Sequence, residues 1–404
     1  VLAGIWRYGA RELGGRTNGL NLIRLVLAAM VLFAHGFYLA GAGHGPMVNG
    51  ENLGGLAVMG FFAISGYLIT GSRLRKSLGS YLLLRASRIF PAFLVCLVVT
   101  AGVFAPLAYL QAHRSLDGFA TTATTPANFV FTNATLKMNA FDVAGTPSTV
   151  PFAQPENWGA VSWNGSLWTL YYEFLCYIII AAMLSVPLLR RSAWGTGAAL
   201  VASIAAYATV DRLEPYFGGN AEPRMLLRLL PFFLAGAWLY QVRHKMALTW
   251  PVALAAALVA AVPVVFLGHW GPQLAAPLLA YVIVYLGALI RSPQLIATHD
   301  ISYGVYIYAW PSQQLLAIAG VHSLGLGHWP GIVVYDLAAV ALTVPLAIAS
   351  WLFVERPVLE RAHRVTASVR PRIPAPEPTQ PTPEVILVPC DQPTSEPTTL
   401  VTLN

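Results

Sequence analysis

Charge is what this chain has least of. Only 10% of its 404 residues are Asp, Glu, Lys or Arg, where a soluble domain carries about 25%. With 56% of the residues hydrophobic, a water-exposed globular surface is excluded and a polytopic membrane protein is expected. Cysteine is nearly absent as well. Cys96, Cys176 and Cys390 lie far apart and two of them fall in apolar runs, which excludes a disulfide framework. No His, Cys, Asp and Glu spacing suits a zinc site, so no metal is expected. A P-loop and a dinucleotide fingerprint are also missing. The formal net charge of +7 does not point to nucleic acid, because the basic residues flank hydrophobic runs. Strict apolar-polar alternation is lacking too, which excludes a membrane β-barrel.

What the chain does contain is apolar runs near the ~20 residues needed to cross a bilayer. They fall at about 20–40, 54–71, 89–110, 166–187, 194–210, 225–241, 249–267, 274–290, 302–319 and 332–354. An all-α bundle of ten transmembrane helices is expected over 20–357. With the N-terminus inside, eighteen Lys and Arg fall in inside segments and four (Arg114, Lys137, Arg212, Arg224) in outside ones. That bias places both termini in the cytoplasm. Residues 1–19 read as a basic cytoplasmic segment ahead of an uncleaved first span. Residues 111–165 read as the long outer loop. The stretch 358–404 is basic and then proline-rich, with nine prolines in residues 371–404, and is expected to be a disordered cytoplasmic tail.

The first span carries two ionisable groups, Arg24 and His35. Eleven residues bring them back to within about 20° of one helix face, separated by a rise of about 16.5 Å. Ionisable groups at such depths usually face a protein interior or a wet cavity. A snorkelling arginine and a helix-packing histidine would satisfy the same pattern. In the second span, Ser65-Gly66 suits close helix packing or a lane for a thin substrate arm. Beyond it lie Arg73, Arg75, Lys76, Arg85 and Arg88, with no carboxylate between residues 52 and 116. Arg85 and Arg88 are i, i+3 neighbours, and two forked guanidiniums suit phosphate groups; anionic lipid headgroups would serve equally.

The fourth span opens with Trp168, Tyr171, Tyr172 and Glu173. An acid there should be paired, protonated or facing a cavity. The aromatics suit either an interfacial belt or a sugar-binding cavity, and Tyr303 and Trp310 of the ninth span join them. Pro311 should free a carbonyl within that ninth helix, and Pro357 of Glu355-Arg-Pro should stop the tenth.

Taken in order, Arg24-x10-His35, FFAISGYLIT, RASRIFP, SLWTLYYEF, ISYGVYIYAWP and ERP resemble the membrane acyltransferase-3 family, over about residues 18–357. The resemblance implies a multi-pass protein of the bacterial inner membrane that O-acylates a cell-surface glycan or a related hydroxyl acceptor. The donor it implies is cytoplasmic acyl-CoA, with acetyl-CoA favoured. It also implies that Arg24 and His35 are the central pair and that the RASR arginines handle the donor. Two departures stand out: many members have an acid where this chain has Asn21, and a histidine where it has Ala309. His35 is therefore expected to carry the proton chemistry alone. The expected donor site comprises Arg85, Arg88, Arg73, Arg75, Lys76, Ser65 and Gly66, and Trp168, Tyr172, Tyr303 and Trp310 are expected at the acceptor. Arg24 is left with three roles: binding donor, pairing with Glu173, or stabilising negative charge. Direct transfer and a transient acyl-histidine both stay open. The rival readings are a secondary transporter or flippase, whose path Arg24 and Glu173 would line, and a scaffold recruiting partners through the proline-rich tail.

Overall fold

The computed structural model describes Leu13, residues 18–148 and residues 161–368. Most of the basic N-terminal segment, residues 149–160 of the expected outer loop, and the proline-rich tail lie outside the described residues. Within them the chain is mostly helical, with almost no sheet. The ten apolar runs fall on α1 (Leu20–Leu39), α2 (Leu53–Arg75), α3 (Leu78–Val99), α4 (Trp168–Met183), α5 (Trp194–Ala208), α6 (Glu222–Val242), α7 (Trp250–Phe266), α8 (Gly271–Leu289), α9 (Ser302–Ile318) and α10 (His328–Ser350). Six of these, α1, α2, α3 with its continuation through a π-helical turn to His113, α6, α8 and α10 with its continuation to Ala367, are long and apolar enough to cross a membrane by length and composition. The other four run to 15–17 residues.

Local chemistry sets several boundaries. α2 begins where the Asn52 side chain accepts a hydrogen bond from the Gly55 amide at 2.7 Å, and α3 where Ser77 accepts from Ser80 at 3.3 Å; both are N-caps that satisfy an orphan donor. Between α1 and α2 a two-stranded hairpin pairs Met47–Val48 with Glu51–Asn52. Its Asn49-Gly50 turn has φ of 49° and 81°, the left-handed pair that suits tight hairpins.

The prolines behave in two ways. Pro311 lies inside α9, and the carbonyl of Ile307, four residues back, accepts from the Cys96 thiol at 3.4 Å. Pro357 does not stop the tenth helix as expected. α10 passes through a π-helical turn, Trp351–Glu355, into α11 (Arg356–Ser368). The Arg356 amide reaches back five residues to Trp351, so the helix is already widened there. Pro357 follows directly, and the wider turn ahead of it carries the helix past a residue that would interrupt a regular α-helix.

The core is organised around α9 as much as α1. Thirteen successive residues of α9, Ser302 to Gln314, are buried, as expected of a helix surrounded by others. α1 packs against α2 and α9. The α2–α6 contact is backbone to backbone. A Cβ on Gly66 would fall 1.9 Å from the Phe233 carbonyl oxygen, and one on Gly236 would fall 2.0 Å from that of Ala63.

Candidate active site

α1 carries its two ionisable side chains to opposite ends of the bundle interior. At the Arg24 end, the guanidinium meets Asp300 Oδ2 at 2.6 Å. Asp300 lies in the linker just ahead of α9. The same oxygen accepts from Arg88 of α3 at 2.7 Å, and Arg88 also reaches Glu355 Oε2 at 2.9 Å. Ser302 donates to the other Asp300 oxygen and Ser350 to Glu355. Two guanidiniums and two carboxylates thus join α1, α3, α9 and the π-helical turn with no net charge. Burial alone would raise the Asp300 carboxyl, but Arg24 and Arg88, aided by Ser302, bring it down to about 2.

Beside this network is a cavity of about 40 Å³ lined by Arg24, Glu173, Ser302, Tyr303 and Tyr306, among others. That volume holds a few waters at about 10–15 Å³ each. Glu173 accepts from the Ser65 hydroxyl at 2.7 Å and from Tyr177 at 2.6 Å. The pairing with Glu173 left open for Arg24 is therefore not formed: Arg24 pairs with Asp300, which was not anticipated, and Glu173 takes neutral donors.

At the His35 end the cavity is larger, about 280 Å³. His35 stands edge-on to Trp310 with ring centroids 4.6 Å apart, and the Trp310 indole donates to the Ser162 carbonyl at 2.7 Å. Trp168, Arg228, Tyr38 and Ser166 contribute to the same wall. His35 Nδ1 is buried without a hydrogen-bond partner among the described residues. Ala309 packs with Leu32 and Ala339. The two cavities share Val58, Thr169 and Tyr306. There the Thr169 and Tyr306 hydroxyls are hydrogen-bonded to each other, and Tyr306 also donates to the Ser166 carbonyl at 2.8 Å.

A sequence profile described as an acyltransferase domain, that of acyltransferase-3, matches residues 17–352. The chain belongs to the acyltransferase-3 family. It is 29% identical over 364 residues to an O-acetyl transferase of Shigella phage Sf6, covering 86% of this chain and 97% of that relative. It is 27% identical over 385 residues to nodulation protein 10 of Rhizobium leguminosarum bv. viciae, covering 86% and 94%. No solved structure matches. This acyltransferase-3 member is therefore an O-acyltransferase with the apolar helices of a membrane protein.

Within the acyltransferase, the residues singled out from sequence divide into three groups. His35, Trp168 and Trp310 line the larger cavity, and Arg24, Glu173 and Tyr303 the smaller one. Tyr172 stands behind Trp168, with ring centroids 5.6 Å apart. The third group departs from expectation. Arg88 does not form a free fork beside Arg85, because its guanidinium is engaged by two carboxylates. Gly66 does not open a lane beside α1; it faces Phe233 of α6, while Ser65 turns to Glu173. Arg73 is buried and donates to Ser185 and to the Lys76 carbonyl, and Arg75 donates to the Tyr240 hydroxyl. Arg85 keeps a buried Nε without a hydrogen-bond partner among the described residues.

Three pairings escaped the sequence reading. Asp300 and Glu355 were visible only as flanks of the ninth and tenth spans. Arg228, an arginine inside the sixth run, pairs with Glu51 of the hairpin at 2.5 Å, across 177 residues. Asp336 of α10 is buried against α1: a Cβ on Gly36 would lie 1.9 Å from its Oδ1. A lone charge within an apolar run was the available signal for Arg228 and Asp336.

Proposed function

We propose that this protein crosses a bacterial inner membrane ten times, with both termini cytoplasmic, and moves an acyl group from cytoplasmic acyl-CoA to a hydroxyl of a cell-surface glycan. Acetyl is the favoured group, in keeping with the O-acetyl transferase to which the chain is similar. The observation that carries this reading is the pair of adjoining cavities, one holding Arg24 and the other His35, with Thr169 and Tyr306 in the wall between. Such an arrangement lets donor and acceptor approach from opposite sides and meet without a carrier.

His35 acts as general base. The acceptor hydroxyl gives it a proton while its oxygen bonds to the thioester carbonyl carbon. The carbon–sulfur bond then breaks, and the departing CoA thiolate takes the proton from His35. Trp168 and Trp310 offer flat apolar faces to a sugar ring, with Tyr172 bracing Trp168. Arg85, Arg75 and Lys76, near the Arg24 end, receive the donor phosphates; Arg73 and Arg88 shape that site from within. The small cavity is too narrow for a pantetheine arm as it stands, so the side chains lining it part when the donor enters.

The test is labelled acetyl-CoA supplied to the purified full chain with a surface glycan, in reconstituted vesicles and without a gradient. Covalent label on the glycan is expected. Movement of substrate across vesicles with no covalent product would instead support transport and overturn the reading. Arg85→Ala should raise the KM for acetyl-CoA, and an unchanged KM would remove the phosphate role.

A further inference from the structure

We propose that Ser166 and the first turn of α4 form the oxyanion site of the acyl transfer, Ser166 donating through its hydroxyl. This rests on the acyl-CoA reading above. Gly165, Ser166, Trp168 and Thr169 all line the His35 cavity. α4 begins at Trp168 and runs 16 residues, so its N-terminal end, with amides that have no intrahelical acceptor and a partial positive charge, opens on that cavity.

Ser166 supplies the second, independent observation. It is 3% exposed, yet its hydroxyl has no hydrogen-bond partner among the described residues. A buried polar group left unpaired is costly and calls for a reason. Its neighbours are occupied: the Thr169 hydroxyl is bonded to Tyr306 and to the Ser166 carbonyl, and Leu167 and Leu170 amides donate to Asn164 and Leu167 carbonyls. The turn is therefore pinned through its backbone while the Ser166 hydroxyl stays uncommitted.

The turn is also held close to the base. A Cβ on Gly165 would fall 2.4 Å from the Trp310 ring, and the opposite relation of Trp310, edge-on to His35 at 4.6 Å, places one indole between the turn and the imidazole. As the acceptor oxygen bonds to the carbonyl carbon and its proton passes to His35, the carbonyl π pair moves onto oxygen. Ser166 O–H donates to that oxygen, with the positive end of α4 behind it, until the pair returns and CoA thiolate leaves. Donors that strengthen only as charge develops accelerate the chemical step rather than binding.

The experiment measures CoA release from acetyl-CoA by the purified full chain with a panel of methyl glycosides as acceptors. Ser166→Ala is expected to lower kcat about 10²-fold and leave the KM for acetyl-CoA unchanged. Ser166→Thr, which retains a hydroxyl, is expected to recover most of the rate. With dithioacetyl-CoA, whose thiocarbonyl sulfur accepts hydrogen bonds poorly, wild type and Ser166→Ala are expected to turn over alike. A Ser166→Ala protein with wild-type kcat overturns the proposal. So does joint failure of the Ala and Thr variants with raised KM, which assigns Ser166 to structure. No CoA release by wild type overturns the donor reading, and this inference with it.

Discussion

The two ends of α1 solve the problem of buried polarity in opposite ways. At the Arg24 end, two guanidiniums and two carboxylates satisfy one another within 2.6–2.9 Å, and Ser302 and Ser350 take up remaining acceptor sites. At the His35 end, a cavity several times larger leaves His35 Nδ1 and the Ser166 hydroxyl without partners among the described residues. A closed network orients helices, because each member loses its compensation if another moves. Unpartnered groups on a cavity wall are instead available to a substrate. One end of the helix is closed by its own charges, the other leaves polar groups facing a cavity.

Breaking each end should therefore give a different phenotype. His35→Ala should lower acyl transfer by about 10²–10⁴ while unfolding in detergent stays within about 1 kcal/mol of wild type; near-normal transfer would end the general-base assignment. Asp300→Ala should act the other way round. It strands Arg24 and leaves Arg88 with Glu355 alone, and loss of one partner from a buried ion pair typically costs about 3–5 kcal/mol. Thermal or denaturant unfolding of the purified protein reads this directly, and wild-type stability would show the network to be incidental.

Smaller effects test what lies between the two ends. Gly66→Ala forces α2 and α6 apart at a contact of 1.9 Å and should destabilise by about 1–3 kcal/mol, the usual range for overpacking. An unaltered unfolding midpoint would mean that the helices are not in backbone contact. Tyr306→Phe removes one hydroxyl from the wall between the cavities, where it bonds Thr169 and Ser166. A net loss of about 1 kcal/mol is expected, measured by the same unfolding experiment, and a loss beyond about 3 kcal/mol would reveal a wider network through that wall.

Much of the bundle was legible from local pattern. Each of the ten apolar runs lies on a helix, since a continuous apolar stretch has no other way to satisfy its backbone away from water. The spacing of Arg24 and His35 was readable because helical geometry converts eleven residues into a face and a rise. Partners were less readable. Asp300 stands 276 residues from Arg24, and nothing near either residue announces the other. The arginine pair at 85 and 88 looked free because no carboxylate occurs nearby in sequence; the acids that engage Arg88 arrive from α9's linker and the end of α10. Pro357 was misjudged for a related reason, as a stop signal assumes a regular α-helix ahead of it and the π-helical turn removes that premise.

Sequence alone therefore determined helix content, the order of the motifs and the two depths on α1, all consequences of short-range periodicity and covalent geometry. Tertiary packing decided which charges neutralise each other, that Gly66 serves a helix contact, and that Trp310 stands between His35 and the turn ahead of α4. Those outcomes depend on segments distant along the chain meeting at contact distance, and no local pattern encodes such meetings.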